Sequence, residues 1–124
     1  MNFDQSDEFK KDLKRLKKKW RSLPGDLTRA QLFITKLYDN ETSQETIEFR
    51  RNFFATQKGA ILNSINDKEI VKMRLDCDSL NGSDKLRMIF VAVRNANNII
   101  FIELYPKNEN SHQREDQQRI RKYL

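Results

Sequence analysis

The sequence predicts an α+β fold: an N-terminal helical hairpin packed on one face of a small antiparallel β-sheet, a meander, with a short C-terminal helix. Three observations carry this. Apolar residues recur at helical spacing between Phe9 and Tyr38. From Ile70 onward the pattern changes to alternation and to continuous apolar runs, the marks of half-buried and fully buried strands. The connections between those later runs are short and rich in Asn, Gly and Ser, which suits turns between antiparallel neighbours. A chain of 124 residues supports one modest core, so 1–124 reads as a single domain.

The elements follow in order. In "EFKKDLKRLKKKWR", Phe9, Leu13, Leu16 and Trp20 are spaced four, three and four apart and form one apolar stripe on a helix. Ser6 is its expected N-cap, and Asp7 and Glu8 suit the positive end of the helix dipole. Lys10, Lys11, Lys14, Lys17, Lys18 and Lys19 fall largely off the stripe, so the plain reading is a packing helix with a lysine-coated outside. "RSLPGDL" makes a turn into a second helix, with Ser22 as cap and Pro24 at an early position. Leu27, Ala30, Ile34, Leu37 and Tyr38 carry its stripe to about Asp39. Thr42 and Glu45 then frame a capping box, "TSQE", for a short third helix with Ile47, Phe53 and Phe54 that ends near Thr56. "QKGAILNSINDK" reads as loop.

"IVKMRLDC" alternates, with Val71, Met73, Leu75 and Cys77 on one face and Lys72, Arg74 and Asp76 on the other. "KLRMIFVAVR" is apolar on both faces past Arg87 and reads as a central strand covered on both sides. "NANN" is a turn and "IIFIELY" the third strand. Asn110 and Gln113 are cap candidates for a last, very polar helix anchored by Ile120, Tyr123 and Leu124.

The net charge is +6, and a positive field of this kind favours polyanionic partners, most often nucleic acid. A single cysteine, Cys77, rules out a disulfide framework and fits a reducing cytosol. With one Cys and one His no conventional zinc site is expected, and Cys77 reads as a small core residue. No run reaches the length of a membrane span, and the acidic start does not resemble a signal peptide.

An antiparallel meander brings the end of its first strand, the start of its second and the end of its third to one edge. Lys72, Arg74, Lys85, Arg87, Tyr105, Lys107 and Glu109 then gather there. Clustered cations on a sheet face suit a phosphate, and a nearby Glu or Tyr supplies acid–base or stacking groups.

"FKKDLKRLKKKWRSLPGDL", followed by "VKMRLDC", "SDKLRMIFVAV" and "NNIIFIELYPKNE", resembles the RelE/ParE superfamily of type II toxin–antitoxin toxins. The likeness covers residues 9 to 38 and 70 to 112. It implies a cytoplasmic toxin held by a cognate antitoxin. For members closest to RelE it implies cleavage of mRNA in the ribosomal A site, without metal or other cofactor. The RNA's 2′-OH attacks the adjacent phosphate, leaving a 2′,3′-cyclic phosphate and a 5′-OH. Lys72 and Arg74 match that family's basic pair on the first meander strand, and Arg87 matches the arginine of the next. Lys107 and Glu109 match the Lys-x-Glu after the last strand. The resemblance makes Arg74 and Arg87 oxyanion stabilisers and Lys72 an electrostatic promoter. Glu109 or His112 becomes a candidate proton acceptor. Lys85, Tyr105, His112 and Arg114, with Lys10, Lys11, Lys14, Lys17 and Lys18 on the first helix, become candidate contacts to substrate and ribosomal RNA.

The sequence also departs from RelE. Asn108 stands where RelE has an arginine, and Arg114 where RelE has a base-stacking tyrosine. "MNFDQS" offers little alternation for the family's usual first strand, and residues 40 to 69 exceed its usual connection. Two other functions therefore stand beside the ribonuclease: a ParE-like inhibitor of DNA gyrase, since one fold hosts both activities, and a non-enzymatic, detoxified RNA- or ribosome-binding relative.

Overall fold

A computed structural model describes residues 1–80, 86–107 and 117–124 of the chain. The fold is α+β. Among the described residues the elements run β1 (Asn2–Gln5), α1 (Asp7–Lys17), α2 (Leu23–Tyr38), α3 (Gln44–Phe54), β2 (Gly59–Ile65) and β3 (Lys68–Leu75). A 3₁₀ turn (Asp78–Leu80), β4 (Leu86–Val93), β5 (Asn98–Pro106) and α4 (Gln117–Arg121) follow. The strands form one sheet in the order β1-β5-β4-β3-β2. Strands β2 to β5 pair antiparallel in sequence order, whereas β1 joins β5 in parallel.

The sheet is therefore mixed, not the purely antiparallel three-strand meander that the sequence predicts. Two strands were hidden. Strand β2 lies in the stretch expected to be loop. Its polar residues Asn63 and Ser64 face solvent because it pairs on one side only, and a bulge between Ile61 and Asn63 breaks its alternation. Asn66, at φ 54°, makes the turn into β3. Strand β1 forms despite its polar sequence because β5 offers a backbone edge, and Phe3 stacks on Phe101 with ring centroids 5.9 Å apart.

Helix starts differ in detail from expectation. Ser6 caps α1 as predicted, accepting from Phe9 N–H at 3.1 Å. Ser22 makes no side-chain cap bond to α2; its Oγ donates to Asp26 Oδ2 at 2.7 Å instead. The cap of α3 is Ser43, accepting from Thr46 N–H at 3.2 Å, one residue later than the expected box. Trp20 belongs to the turn after α1 and remains buried. Cys77 is fully buried just beyond β3.

Two apolar clusters sandwich the sheet. Helices α1 to α3 build the larger one with Val71, Met73, Leu75, Leu86, Met88, Phe90 and Phe101. The smaller, on the opposite face, contains Ile70, Ile89, Val91, Ile102, Tyr105 and Ile120 of α4. Strand β4 is thus covered on both sides, as its sequence predicts. The helices are not confined to one face, because α4 crosses to the other. A buried acid ties the helical layer to the sheet: Glu69 of β3 accepts from Tyr38 Oη at 2.7 Å and from Arg50 Nη2 at 2.9 and 3.0 Å. Burial first, and then the Glu69 carboxylate, push the Tyr38 phenol far above its ordinary pKa.

Strand β1 reaches only Phe101, so among the described residues the far half of the β5 edge has no strand partner. There the register slips. Ile89 faces Glu103 but Phe90 faces Phe101, so Ile102 is an extra residue, a β-bulge. Two side chains close this edge. Asp12 Oδ2 accepts from Leu104 N–H at 3.1 Å, and Arg119 Nη1 donates to the Ile102 carbonyl at 3.1 Å. Arg119 also donates to Asp12 at 2.6 Å. Both side chains are about one-tenth exposed, 9% and 12%. Truncating one member of such a pair strands the other. We expect Asp12→Ala to lose about 3 kcal/mol in urea unfolding. The double variant Asp12→Ala/Arg119→Met should lose clearly less than the sum of the two single changes.

Candidate functional site

Leu75, Leu86 and Pro106 lie level with one another across β3, β4 and β5. The three strand ends expected to share an edge therefore do so. One residue inward, Arg74 faces Arg87 and Arg87 faces Tyr105. Two residues further, Lys72 faces Ile89 and Ile89 faces Glu103. Side chains alternate along a strand, and Val71, Met73 and Leu75 take the helical face. Lys72, Arg74, Arg87, Glu103 and Tyr105 consequently share the opposite face, in two adjacent rows.

The row of Arg74, Arg87 and Tyr105 is the chemically distinctive one. Arg87 is 8% exposed, and its Nη1 donates to the Leu86 carbonyl at 3.2 Å. Arg74 and Lys72 are half-buried. Like charges directly opposite in a sheet oppose its formation. Glu103, 1% exposed on the neighbouring row, supplies negative charge to the same face. Two guanidinium groups on one face offer paired donors suited to the oxygens of a phosphate.

Other predicted residues are placed differently. Lys107 is exposed immediately past β5, at the same end of the sheet. Tyr105 is 2% exposed and belongs to the smaller apolar cluster, so its ring is a wall behind Arg87 and not an open stacking platform. Lys10, Lys11, Lys14, Lys17 and Lys18 are exposed on α1, in the helical layer, with the sheet between them and the arginine row. Lys85, Glu109, His112 and Arg114 lie outside the described residues, as does Asn108. Among the described residues no group of three His, Cys, Asp or Glu side chains could hold a metal ion, and no helix is long and apolar enough to cross a membrane.

Sequence reasoning missed Glu103. Its signal is a lone acid inside the apolar run "IIFIELY", and the bulge decides which face it takes. It also missed a cleft of about 610 Å³ on the helical side, between α2, α3 and the end of β3. Asp26 and Arg74 both line it. Asp26 is 1% exposed. Burial raises its carboxyl pKa, but hydrogen bonds from Ser22, Cys77, the Asp78 backbone and Arg29 outweigh burial and hold it below the ordinary 3.8. The same surroundings raise the Cys77 thiol, with burial the leading cause. That thiol is thus a poor nucleophile.

Comparison of the chain with protein-family models, with curated proteins and with solved structures finds no match.

A carboxyl depressed by folding stabilises the native state above its unfolded pKa and loses that contribution as pH falls through the folded value. The contribution of Asp26 is therefore complete at neutral pH and disappears below about pH 4. Asp26→Asn should be less stable than wild type at pH 7. Between pH 4 and pH 2 its midpoint in urea should fall less steeply than that of wild type.

Proposed function

We propose that this chain is a RelE-like toxin of a type II toxin–antitoxin pair, an mRNA interferase that cuts messages on the ribosome. The observation that carries the reading is the row of Arg74, Arg87 and Tyr105 across three adjacent strands, with Lys72 one row away. The order of two N-terminal helices, a Lys-x-Arg strand, an Arg-bearing central strand and a last strand running into Tyr-x-Lys-Asn-Glu also fits the RelE-like arrangement.

In the proposed reaction the RNA's 2′-oxygen forms a bond to phosphorus while the bond from phosphorus to O5′ breaks. The products are a 2′,3′-cyclic phosphate and a 5′-hydroxyl. The 2′ proton passes to a general base, for which Glu109 and His112 are the candidates, and O5′ takes up a proton as it leaves. Arg74 and Arg87 hold the phosphate oxygens as negative charge builds on them, the interaction that gains most between ground and transition state. Lys72 and Lys107 add positive charge, and no metal or cofactor is required. Lys10, Lys11, Lys14, Lys17 and Lys18 give a second, salt-sensitive attraction to ribosomal RNA. A cognate antitoxin would screen the basic surface until it is removed, and the substrate places the activity in the cytoplasm.

The near-complete burial of Arg87 and Tyr105 favours one second reading, a non-enzymatic ribosome- or RNA-binding module. Induction of the wild-type chain without antitoxin, followed by primer extension on cellular mRNA, separates the two. The ribonuclease reading expects new 5′ ends within codons and an arrest of translation. Arg87→Ala should reduce cleavage by at least about a hundredfold, the scale of losing one charge-stabilising group, with the far-UV spectrum preserved. Messages that stay intact under wild-type induction would sink the ribonuclease reading.

A further inference from the structure

We propose that β2 pairs antiparallel with β2 of a second copy of this chain about a two-fold axis, so that two five-stranded sheets join into one. The inference stands apart from the ribonucleolytic reading and concerns the assembly that carries the arginine row.

Among the described residues β2 is hydrogen-bonded to β3 alone. Arg74 N–H donates to the Lys58 carbonyl at 2.9 Å. The bonds of a strand alternate sides, so the even-numbered residues of β3 are those that bond toward β2. Their partners Ala60, Asn63 and Ile65 turn their backbone groups inward. Gly59, Ile61 and Ser64 stand opposite odd-numbered residues and turn theirs outward. Such an edge is a template for another strand, and charged side chains, prolines or bulges usually guard it. Charged residues make up 34% of this chain, yet 59–65 contains none, and no proline. Ile61 and Ile65 are each 42% exposed.

The edge complements itself. Setting Ile61 opposite Ser64 of the second copy places the axis between Leu62 and Asn63. The outward groups of Ile61 then meet those of Ser64 on both sides of the axis. The bulge at Leu62 would disturb pairing with a regular strand, but here it falls beside its own image. Ala60 lies opposite Ile65, on the face that β3 shares through Lys72 and Lys68, and two exposed apolar side chains cover each other. At each end Lys58 comes opposite Asp67. Lys58 is exposed and Asp67 half-buried, and among the described residues no ion pair engages either. Two copies of a chain with net charge +6 thus meet along a neutral strand whose ends carry opposite charges. A two-fold axis perpendicular to the sheet keeps the same face of each copy on the same side. Both Arg74–Arg87 rows would then lie on one face of the joined sheet.

The test is sedimentation velocity on the full chain in low salt, from about 1 to about 100 µM, the range of a transient dimer. Wild type should pass from monomer to dimer as concentration rises. Ile61→Pro removes an outward N–H and leaves the bonds to β3 in place. It should stay monomeric throughout, with its far-UV spectrum preserved. Lys58→Asp and Asp67→Lys each set like charges opposite one another at both ends of the joint, and each should weaken dimerisation about tenfold. The double variant Lys58→Asp/Asp67→Lys should dimerise as wild type does, and this exchange decides alone if Ile61→Pro does not fold. A wild-type chain that is monomeric at every concentration overturns the proposal. So does a dimer that folded Ile61→Pro leaves intact, or one that the double variant fails to restore. A chain that stays monomeric, and whose Ile61 and Ser64 amide resonances shift with an acidic strand-forming peptide, overturns it in favour of a different protein at this edge.

Discussion

The bulge at Ile102 is the constraint on which the candidate site depends. Up to Phe101, odd-numbered residues of β5 point at the helical layer, as Ile99 and Phe101 do. After the extra residue the parity reverses. Leu104 fills the helical side, and Glu103 and Tyr105 turn to the other face beside Lys72 and Arg87. Without the bulge a carboxylate and a phenol would enter the main core, and a leucine would stand among the cations. A one-residue slip exchanges the faces of everything downstream. The bulge is held by side chains from both layers, Asp12 on the Leu104 amide and Arg119 on the Ile102 carbonyl. A contact between the first helix and the last thus fixes the register of the sheet face that carries the charge.

The unequal cover of the two faces explains where that charge collects. Three helices pack on one side, and two of its buried acids, Glu69 and Asp26, are each satisfied by several donors. Among the described residues, α4 is the only helix on the other side, and it is five residues long. Its anchor Ile120 seals the middle of that face, and Lys68 Nζ donates to the Tyr123 carbonyl to hold its end. Toward the end of the sheet, where Leu75, Leu86 and Pro106 align, Lys72 and Arg74 stay half-buried.

What the sequence disclosed follows from how many neighbours each element needs. The stripes of α1 and α2 and the doubly apolar β4 were legible because each buries its pattern against a large core. Their residues Phe9, Leu27, Ile34 and Phe90 are buried as expected. Strands β1 and β2 were not legible. Both lie at sheet edges, where one hydrogen-bonded partner suffices and solvent tolerates Asn63, Ser64 and Asp4. Asp12 was hidden by charge: it sits in the buried stripe of α1, and its partner Arg119 is 107 residues away. For the candidate site, strand order alone brought Lys72, Arg74 and Arg87 together. The burial of Tyr105 and the turning of Glu103 required the bulge, which no period-two reading of "IIFIELY" contains.

Arg74 opposite Arg87 is the pairing a sheet selected for stability alone would avoid, since directly opposed like charges weaken the pair. The surroundings make it tolerable. Strand β4 is locked between two apolar clusters, and the Arg87 guanidinium donates to the Leu86 carbonyl beside it. Glu103 offsets part of the charge from the adjacent row. On the proposed reading, an anion bound at this row offsets the like charge of the two guanidinium groups. An anion seated between two opposed guanidinium groups does so most effectively when its own charge is greatest. On the proposed reading that moment is the pentacoordinate phosphate. Arrangement of the cations before substrate arrives then becomes a difference between ground and transition state.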